Sequence, residues 1–414
     1  MSSQFPERYP PKRKRGLRAW LERTLGRSTL APKFSIKSSS DPGPPISSSA
    51  APSSQPATLH LLDVTNDQEE VIERYRPIEG LFRQLQHSID CSPNETDVHP
   101  QHAHPLTKSH QVLRKIIDYP MQCADVARLL MKDGCSDLTA SLKQSACSDG
   151  PIVHGGSGDV FYGNLRDGTP VAIKTIRDSH GSSKMGRLYH NIKEAAKEIY
   201  TWSKCRHTNI VKLMGLAMFR GCLAMISRWE ENGNLSVYLS RYPSANRYQL
   251  SESICDGLSY LHDQGITHGD LKGLNVLIDE KGRPMLTDFG NASLKDCPDP
   301  QTEDTETVCT LQWAAPEIIS GGSRTTPADV YSLGMTILET FTSAAPFAGK
   351  RDHSLFKYIV LDRKTPTRPE QFPSGSVDGD NLWIILMKCW SYDPKDRPTA
   401  RFVRDRVKAI TPGN

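Results

Sequence analysis

Gly155-Gly156-Ser157-Gly158 is a group of small residues with a chemical use. With no Cβ to block the approach, glycine amides can lie against phosphate oxygens. Alone the cluster is weak. A strand and hairpin follow it instead of a helix, which disfavours a dinucleotide-binding fingerprint. No Gly-Lys-Ser/Thr follows, which excludes a Walker loop. Lys174 comes next, on a run that is otherwise apolar, so its ammonium needs a partner or a ligand. Glu198, 24 residues on, is placed to pair with it, and by itself that pair reads first as a plain salt bridge. Further along, Asp270, Lys272 and Asn275 set a carboxylate, an ammonium and an amide at two- and five-residue spacing, just before the apolar run Val276-Leu277-Ile278. Asp288-Phe289-Gly290 begins 13 residues after Asn275, and Ala315-Pro316-Glu317 begins 27 residues after Asp288. Any one of these short strings arises by chance; their order and spacing together do not.

Periodicity predicts the elements that must carry these groups. Pro151–Val153 reads as a strand, and Val160, Tyr162 and Leu165 alternate as the next one. Asp167-Gly168 is a hairpin signal of type I′, which needs positive φ at both central positions. Val171-Ala172-Ile173-Lys174 is the following strand. Ile192, Ala195, Ala196, Ile199 and Trp202 share one helical face, as do Leu250, Ile254, Leu258 and Leu261. Strands first and helices later give an α+β arrangement with two lobes.

The rest of the chain differs in composition. Of the first 60 residues, 21 are Ser or Pro, and the stretch carries ten Lys/Arg against three Asp/Glu. That composition predicts a disordered basic tail over 1–60. Beyond it the balance is slightly acidic, so the net charge of +4 belongs to the tail and no nucleic-acid-binding surface is expected. Lys12-Arg13-Lys14-Arg15 has three readings: a solvated charge run, a nuclear import signal, or, with Leu17, Trp20 and Leu21, part of a membrane-surface helix. Residues 61–147 are predicted as short helices of unassigned role. Ile78, Leu81, Phe82, Leu85 and Ile89 mark one, Val112, Leu113, Ile116 and Ile117 another, and Val126, Leu129 and Leu130 a third. Zinc binding by His99, His102, His104 and His110 is disfavoured, because Pro100 and Pro105 interrupt them and no cysteine lies close. No run of eighteen apolar residues exists, which excludes a spanning helix, and no apolar segment follows the basic N-terminus as a secretory signal requires. Ten scattered Cys without a CxxC pair read as reduced thiols of an intracellular protein, cytoplasmic or, by the import reading, nuclear.

Residues 148–411, with the strings above, resemble the eukaryotic protein kinase family. Asp329-Val330-Tyr331-Ser332-Leu333-Gly334 resembles its central C-lobe helix. Asp396-Arg397-Pro398-Thr399 resembles its closing segment, whose arginine pairs with the glutamate at 317. Trp313-Ala314-Ala315-Pro316-Glu317 and Glu231-Asn232-Gly233-Asn234-Leu235 resemble the tyrosine-kinase-like group, and His-Gly-Asp-Leu-Lys-Gly resembles its fungal members. The resemblance implies the two-lobed kinase fold, a small β-rich lobe and a larger helical one, and transfer of the γ-phosphoryl of ATP to proteins. It implies Asp270 as the base, Lys272 near the γ-phosphate, and Lys174, oriented by Glu198, on the α- and β-phosphates. Asn275 and Asp288 would hold Mg²⁺. Val153, Gly155, Gly156, Gly158, Val160, Ala172, Ser227 and Trp229 would line the nucleotide site. The oligomeric state stays open.

Three departures accompany the resemblance. Val153 stands where the first loop glycine is usual, Ser157 where an aromatic caps the loop, and Gly269 where an arginine precedes the aspartate. With that arginine missing, activity is expected to depend little on phosphorylation of Thr302, Thr305 or Thr307; Arg206 and Lys295 are the alternative receivers of such a phosphate. Lys272, and Cys309-Thr310-Leu311-Gln312 in place of a proline, favour serine and threonine over tyrosine as acceptors. A pseudokinase scaffold is the alternative. Against it stands the full set Lys174, Glu198, Asp270, Asn275 and Asp288.

Overall fold

The computed structural model describes residues 108–118, 121–154, 158–176, 184–295, 310–370 and 372–410. Outside them lie Lys12–Arg15, the residues of the membrane-surface helix reading beside it, the expected helix after Pro77, His99, His102 and His104. Gly155, Gly156 and Ser157, and Thr302, Thr305 and Thr307, also lie outside.

Two helices come first, α1 (Lys108–Asp118) and α2 (Cys123–Lys132). A five-stranded antiparallel sheet follows, from β1 (Val153–His154), β2 (Asp159–Asn164), β3 (Pro170–Thr175), β4 (Leu213–Phe219) and β5 (Cys222–Arg228), in the order β1-β2-β3-β5-β4. Helix α3 (Lys184–Ser203) crosses between β3 and β4. Its predicted apolar face is the buried one: Ile192, Ala195, Ala196, Ile199 and Trp202 join a common core with Leu216, Leu223 and Met225 of the sheet. Val171, Ile173, Ala217, Phe219, Ala224 and Ile226 form a separate cluster with Leu142 and Leu165. Period-2 alternation thus divides the strands between two apolar layers.

The hairpin after β2 departs from the expected turn. Gly168 has φ +92, while Asp167 is not among the residues of positive φ. Gly168 N–H donates to the Leu165 carbonyl (3.0 Å) and the Asp167 carboxylate accepts from Thr169 N–H (2.8 Å). The side-chain bond lets Asp167 turn the chain at ordinary φ, leaving only the glycine in the left-handed region.

Past β5 the chain is mostly helical. It comprises α4 (Leu235–Arg241), α5 (Arg247–Asp263), α6 (Pro316–Ile319), α7 (Thr326–Thr342), α8 (Asp352–Phe356), α9 (Val377–Cys389) and α10 (Ala400–Ile410). Side chains close the helix starts: Asn234 Oδ1 accepts from Val237 N–H (3.0 Å), Asn246 Oδ1 from Gln249 N–H (3.1 Å) and Thr325 Oγ1 from Ala328 N–H (3.3 Å). Two short antiparallel pairs frame the loops that carry the charged residues. They are β6 (Ile266–Thr267) with β9 (Ser293–Leu294), and β7 (Val276–Ile278) with β8 (Pro284–Leu286). The small sheet lobe and larger helical lobe match the α+β expectation. Among the described residues no helix is long and apolar enough to cross a membrane.

Candidate active site

Register places the predicted nucleotide residues together. In the antiparallel ladder Val160 pairs with Lys174, and Ala172 with Ser227. Paired residues share a face and i, i+2 neighbours share it too, so Val160, Ala172, Lys174 and Ser227 all stand on one side of the sheet. Tyr162 and Met225 occupy the same face by the same register and were not anticipated. Trp229 meets Tyr162 edge to face, 5.2 Å between ring centres. Gly158 lies against β3, where a Cβ would strike the Thr175 carbonyl. Val153 pairs with Val160 at the sheet edge and is exposed.

Lys174 Nζ donates to Glu198 Oε1 of α3 at 2.7 Å and to Asp288 Oδ1 at 2.5 Å. Burial pulls the ammonium's pKa down, but the two carboxylates outweigh it and hold it above the ordinary value, so the cation stays charged. Burial pushes the Glu198 carboxyl up, and Lys174 opposes that rise. Asp288 follows β8 and sits at φ +68, a backbone position non-glycine residues rarely take. Its neighbour Phe289 is held by stacking on Trp202 at the end of α3, 5.8 Å between centres.

The loop from β6 to β7 carries the second group. Lys272 Nζ donates to Asp270 Oδ2 (2.6 Å) and to Thr310 Oγ1 (2.7 Å), and the Thr310 hydroxyl donates to Asp270 Oδ1 (3.1 Å). Asn275 Nδ2 donates to the Asp270 carbonyl (2.8 Å) and to its Oδ2 (3.2 Å). Asn275's amide nitrogen is thereby committed, leaving Oδ1 as its remaining polar atom. With the Asp288 carboxylate it supplies the oxygen donors a hard divalent cation takes, so the residues present fit Mg²⁺. Among the described residues no three His, Cys, Asp or Glu side chains form a metal-holding group. Magnesium needs no such cage, since it keeps waters and binds through one or two carboxylates with substrate phosphates.

Buried carboxylates that sequence reasoning gave no role hold this loop in shape. Asp329 of α7 accepts from His268 N–H (2.7 Å) and Gly269 N–H (2.8 Å). Glu339, nearly three turns further along α7, accepts from Gly273 N–H (2.8 Å), Trp313 Nε1–H (2.9 Å) and the Ser236 hydroxyl (3.1 Å). Burial raises the Glu339 carboxyl's pKa, and these hydrogen bonds oppose the rise. The available signal was a glutamate inside the apolar run of a helix, which must find donors when buried. His268 Nδ1 accepts from Asp270 N–H (3.3 Å) and Nε2 faces the Thr287 carbonyl (3.1 Å), an arrangement that needs the proton on Nε2. Gly269 sits at φ +80; a Cβ there would meet the Asn291 carbonyl and come within 2.7 Å of Arg324 Cδ. The basic side chain beside Gly269 is therefore Arg324, a third group besides Arg206 and Lys295. Further out, Arg397 and Glu317 form the expected pair, bidentate at 2.6 and 2.7 Å, with the arginine side chain fully buried.

The chain is similar to several known proteins over this region. A probable serine/threonine-protein kinase of Dictyostelium discoideum, drkD, is 30% identical over 255 residues, covering 60% of this chain and 18% of the relative. A putative serine/threonine-protein kinase/receptor of Acanthamoeba polyphaga mimivirus is 28% identical, covering 62% and 16%. The human tyrosine-protein kinase Srms is 27% identical, covering 61% and 50%. The chain thus spans half or less of these relatives' length. The sequence profile of the protein kinase domain matches residues 149–406, more than half of the chain and every charged group of the two clusters above. This chain belongs to the protein kinase domain family.

Proposed function

We propose that the chain is an ATP-dependent protein kinase that phosphorylates serine and threonine hydroxyls, of the tyrosine-kinase-like group. One arrangement carries the reading: two carboxylates on separate elements, Glu198 and Asp288, converge on Lys174, and Asp270 is bonded to Lys272 and Thr310 in a second cluster. Phosphoryl transfer spreads negative charge over the moving group, so catalysis is positioning and neutralisation. Lys174 supplies a fixed cation for the α- and β-phosphates, and Glu198 fixes its direction. By the resemblance Gly155, Gly156 and Gly158 would cover the phosphates, and Ala172, Ser227 and Trp229 would contact adenine. Asn275 and Asp288 would hold Mg²⁺, which would neutralise phosphate charge when bound. Asp270 takes the proton of the attacking hydroxyl, help worth about 10²–10⁴ in rate. Lys272, bonded to Asp270 Oδ2, keeps a positive charge beside that step. Thr310 marks where a small aliphatic hydroxyl reaches Asp270, which supports serine and threonine; the names of two relatives agree, and Srms is named a tyrosine kinase. The proposed substrates are proteins, and a role in intracellular signalling is part of the same proposal.

The test is labelled ATP with Mg²⁺ and a generic acceptor protein, followed by phosphoamino-acid analysis. Label on serine and threonine is expected. Lys174→Met should lower the rate by at least about 10²–10³, the scale for removing a charge-stabilising donor, with circular dichroism unchanged. Equal rates in wild type and variant would mean that the nucleotide site is misplaced, and label confined to tyrosine would overturn the acceptor assignment.

A further inference from the structure

The kinase-domain match begins at residue 149, yet the folded unit does not. Helices α1 and α2 bury Leu113, Ile116, Val126, Ala127 and Leu130 in the same core as Ile192, Ala195, Ala196, Ile199 and Trp202 of α3. Beyond α2, Asp133 caps the helix and its carboxylate binds Lys204 Nζ at 2.6 Å, one residue past the end of α3. The chain then runs along β4. Leu216 N–H donates to the Ser136 carbonyl (2.9 Å), Leu138 N–H to the Leu216 carbonyl (2.8 Å), and Met218 N–H to Thr139 Oγ1 (2.9 Å). A Cβ at Gly215 would strike the Ser136 carbonyl, so the glycine permits this approach. It continues to β2, where Lys143 N–H donates to the Asn164 carbonyl (2.9 Å) and Ser148 N–H to the Tyr162 carbonyl (2.8 Å). Leu142 enters the second apolar layer of the sheet. Residues 108–148 therefore grip α3 on one side and two strands of the sheet on the other.

We propose that residues 108–148 are a built-in brace that sets the position of α3 and so holds Glu198 against Lys174. Glu198 can reach Lys174 only while α3 lies against the sheet, because the two residues sit on different elements. The sheet is fixed by its own ladder; α3 is a single helix whose covering layer includes α1 and α2. The brace fastens to both, through backbone bonds to β4 and β2 and through Leu130, Val126, Ile116 and Asp133 toward α3. These four act as positioning residues: they touch neither nucleotide nor acceptor. Loosening the brace costs no chemical group of the site. It lowers the fraction of molecules in which the Lys174–Glu198 pair is made, and kcat falls by that fraction.

The inference rests on the proposed kinase activity only for its rate readout. The experiment uses the full chain with Leu130→Ala, and with Leu382→Ala in α9 as a control of equal size in the distant core. Rates are measured well below both melting temperatures, alongside amide hydrogen exchange of residues 190–203. Expected for Leu130→Ala are a fall of kcat by fivefold or more, a KM for the acceptor within twofold, and faster exchange in α3. Leu382→Ala should change neither. A second pair of variants reads the ion pair: Asp133→Lys and Lys204→Asp each lower kcat, and the two together restore it. A folded Leu130→Ala protein with normal kcat and normal α3 exchange overturns the brace, as does an equal effect from Leu382→Ala. If Leu130→Ala fails to fold, the charge swap decides: single reversals without effect on kcat and exchange overturn the brace. An inactive wild type would count against the kinase reading alone, since the exchange comparison still decides the brace.

Discussion

Glu230, the half-buried residue after Trp229, shows how surroundings reset a single group. Burial pushes its carboxyl from 4.5 up to about 7, with Asp279 and Glu280 adding to the rise and Arg228 opposing it. Asp279 is held in the turn that follows β7, accepting from Lys281 N–H (2.9 Å) and Arg283 N–H (2.8 Å). A carboxyl whose folded pKa exceeds its unfolded value binds its proton more tightly in the native state. Its contribution to stability is present at low pH and is lost as pH rises from about 4.5 through about 7. Glu230→Gln removes the titration. Urea midpoints at pH 5 and pH 8 should differ less in the variant than in wild type; an unchanged difference would assign the titration elsewhere. Gly269 gives a second residue-scale expectation. Restoring the usual arginine there should not improve the enzyme, because φ is +80 and both the Asn291 carbonyl and Arg324 occupy the space. Gly269→Arg should lose at least about 1–2 kcal/mol, the backbone cost of the left-handed region, read as a lower melting temperature. A melting temperature equal to wild type would overturn this, since it would require the backbone at 269 and Asn291 to rearrange without cost.

Between elements, the bond from the segment before α10 to α6 has the clearest energetic weight. Arg397 is fully buried, makes both bonds to Glu317 and also donates to the Ser391 carbonyl at 2.8 Å and the Pro327 carbonyl at 3.0 Å. It ties α6, the start of α7 and the turn before α10 together. Removing Arg397 leaves the Glu317 carboxylate, 24% exposed, without its cation, at a cost toward the lower end of the about 3–5 kcal/mol for breaking a buried pair. Arg397→Ala should lose stability on that scale in denaturant unfolding, more than Lys408→Ala on α10, whose 3.9 Å contact to Glu252 is solvent-exposed. Comparable losses from both would show the buried pair to be replaceable.

Across the whole molecule, the described structure begins at residue 108, while the basic Ser/Pro-rich composition ends near residue 60. Deleting residues 1–60 should leave kcat within about twofold, since such a composition cannot supply apolar area to a core. Cellular distribution of the tagged chain with and without Lys12–Arg15 separates the three readings of that cluster. Nuclear accumulation lost on deletion supports import, membrane-associated signal lost on deletion supports the surface helix, and an even spread in both supports a solvated run. A larger fall in kcat would mean that the tail touches the catalytic unit.

The sequence by itself determined the identity and order of the charged groups, the alternation of β3, and the apolar faces of α2, α3 and α5; the alternation expected of β2 fails, because Leu165 lies past its end and enters the apolar layer opposite Val160 and Tyr162. These are local patterns: periods of 2 and 3.6 fix which face is buried, and a motif is a fixed spacing along one stretch of chain. It also carried the pairing of Arg397 with Glu317, through resemblance. Tertiary structure alone decided that Asp329 and Glu339 of α7 hold the loop amides of Gly269 and Gly273, that Arg324 fills the place beside Gly269, and that Asp167 turns without positive φ. It alone decided that residues 133–148 bind β4 and β2. That stretch has no periodicity, because its donors and acceptors are satisfied by strands up to about 80 residues away. A buried polar group must find a partner, but nothing in its own neighbourhood of the chain says which one. The choice is made only when the packed elements bring distant backbone within reach.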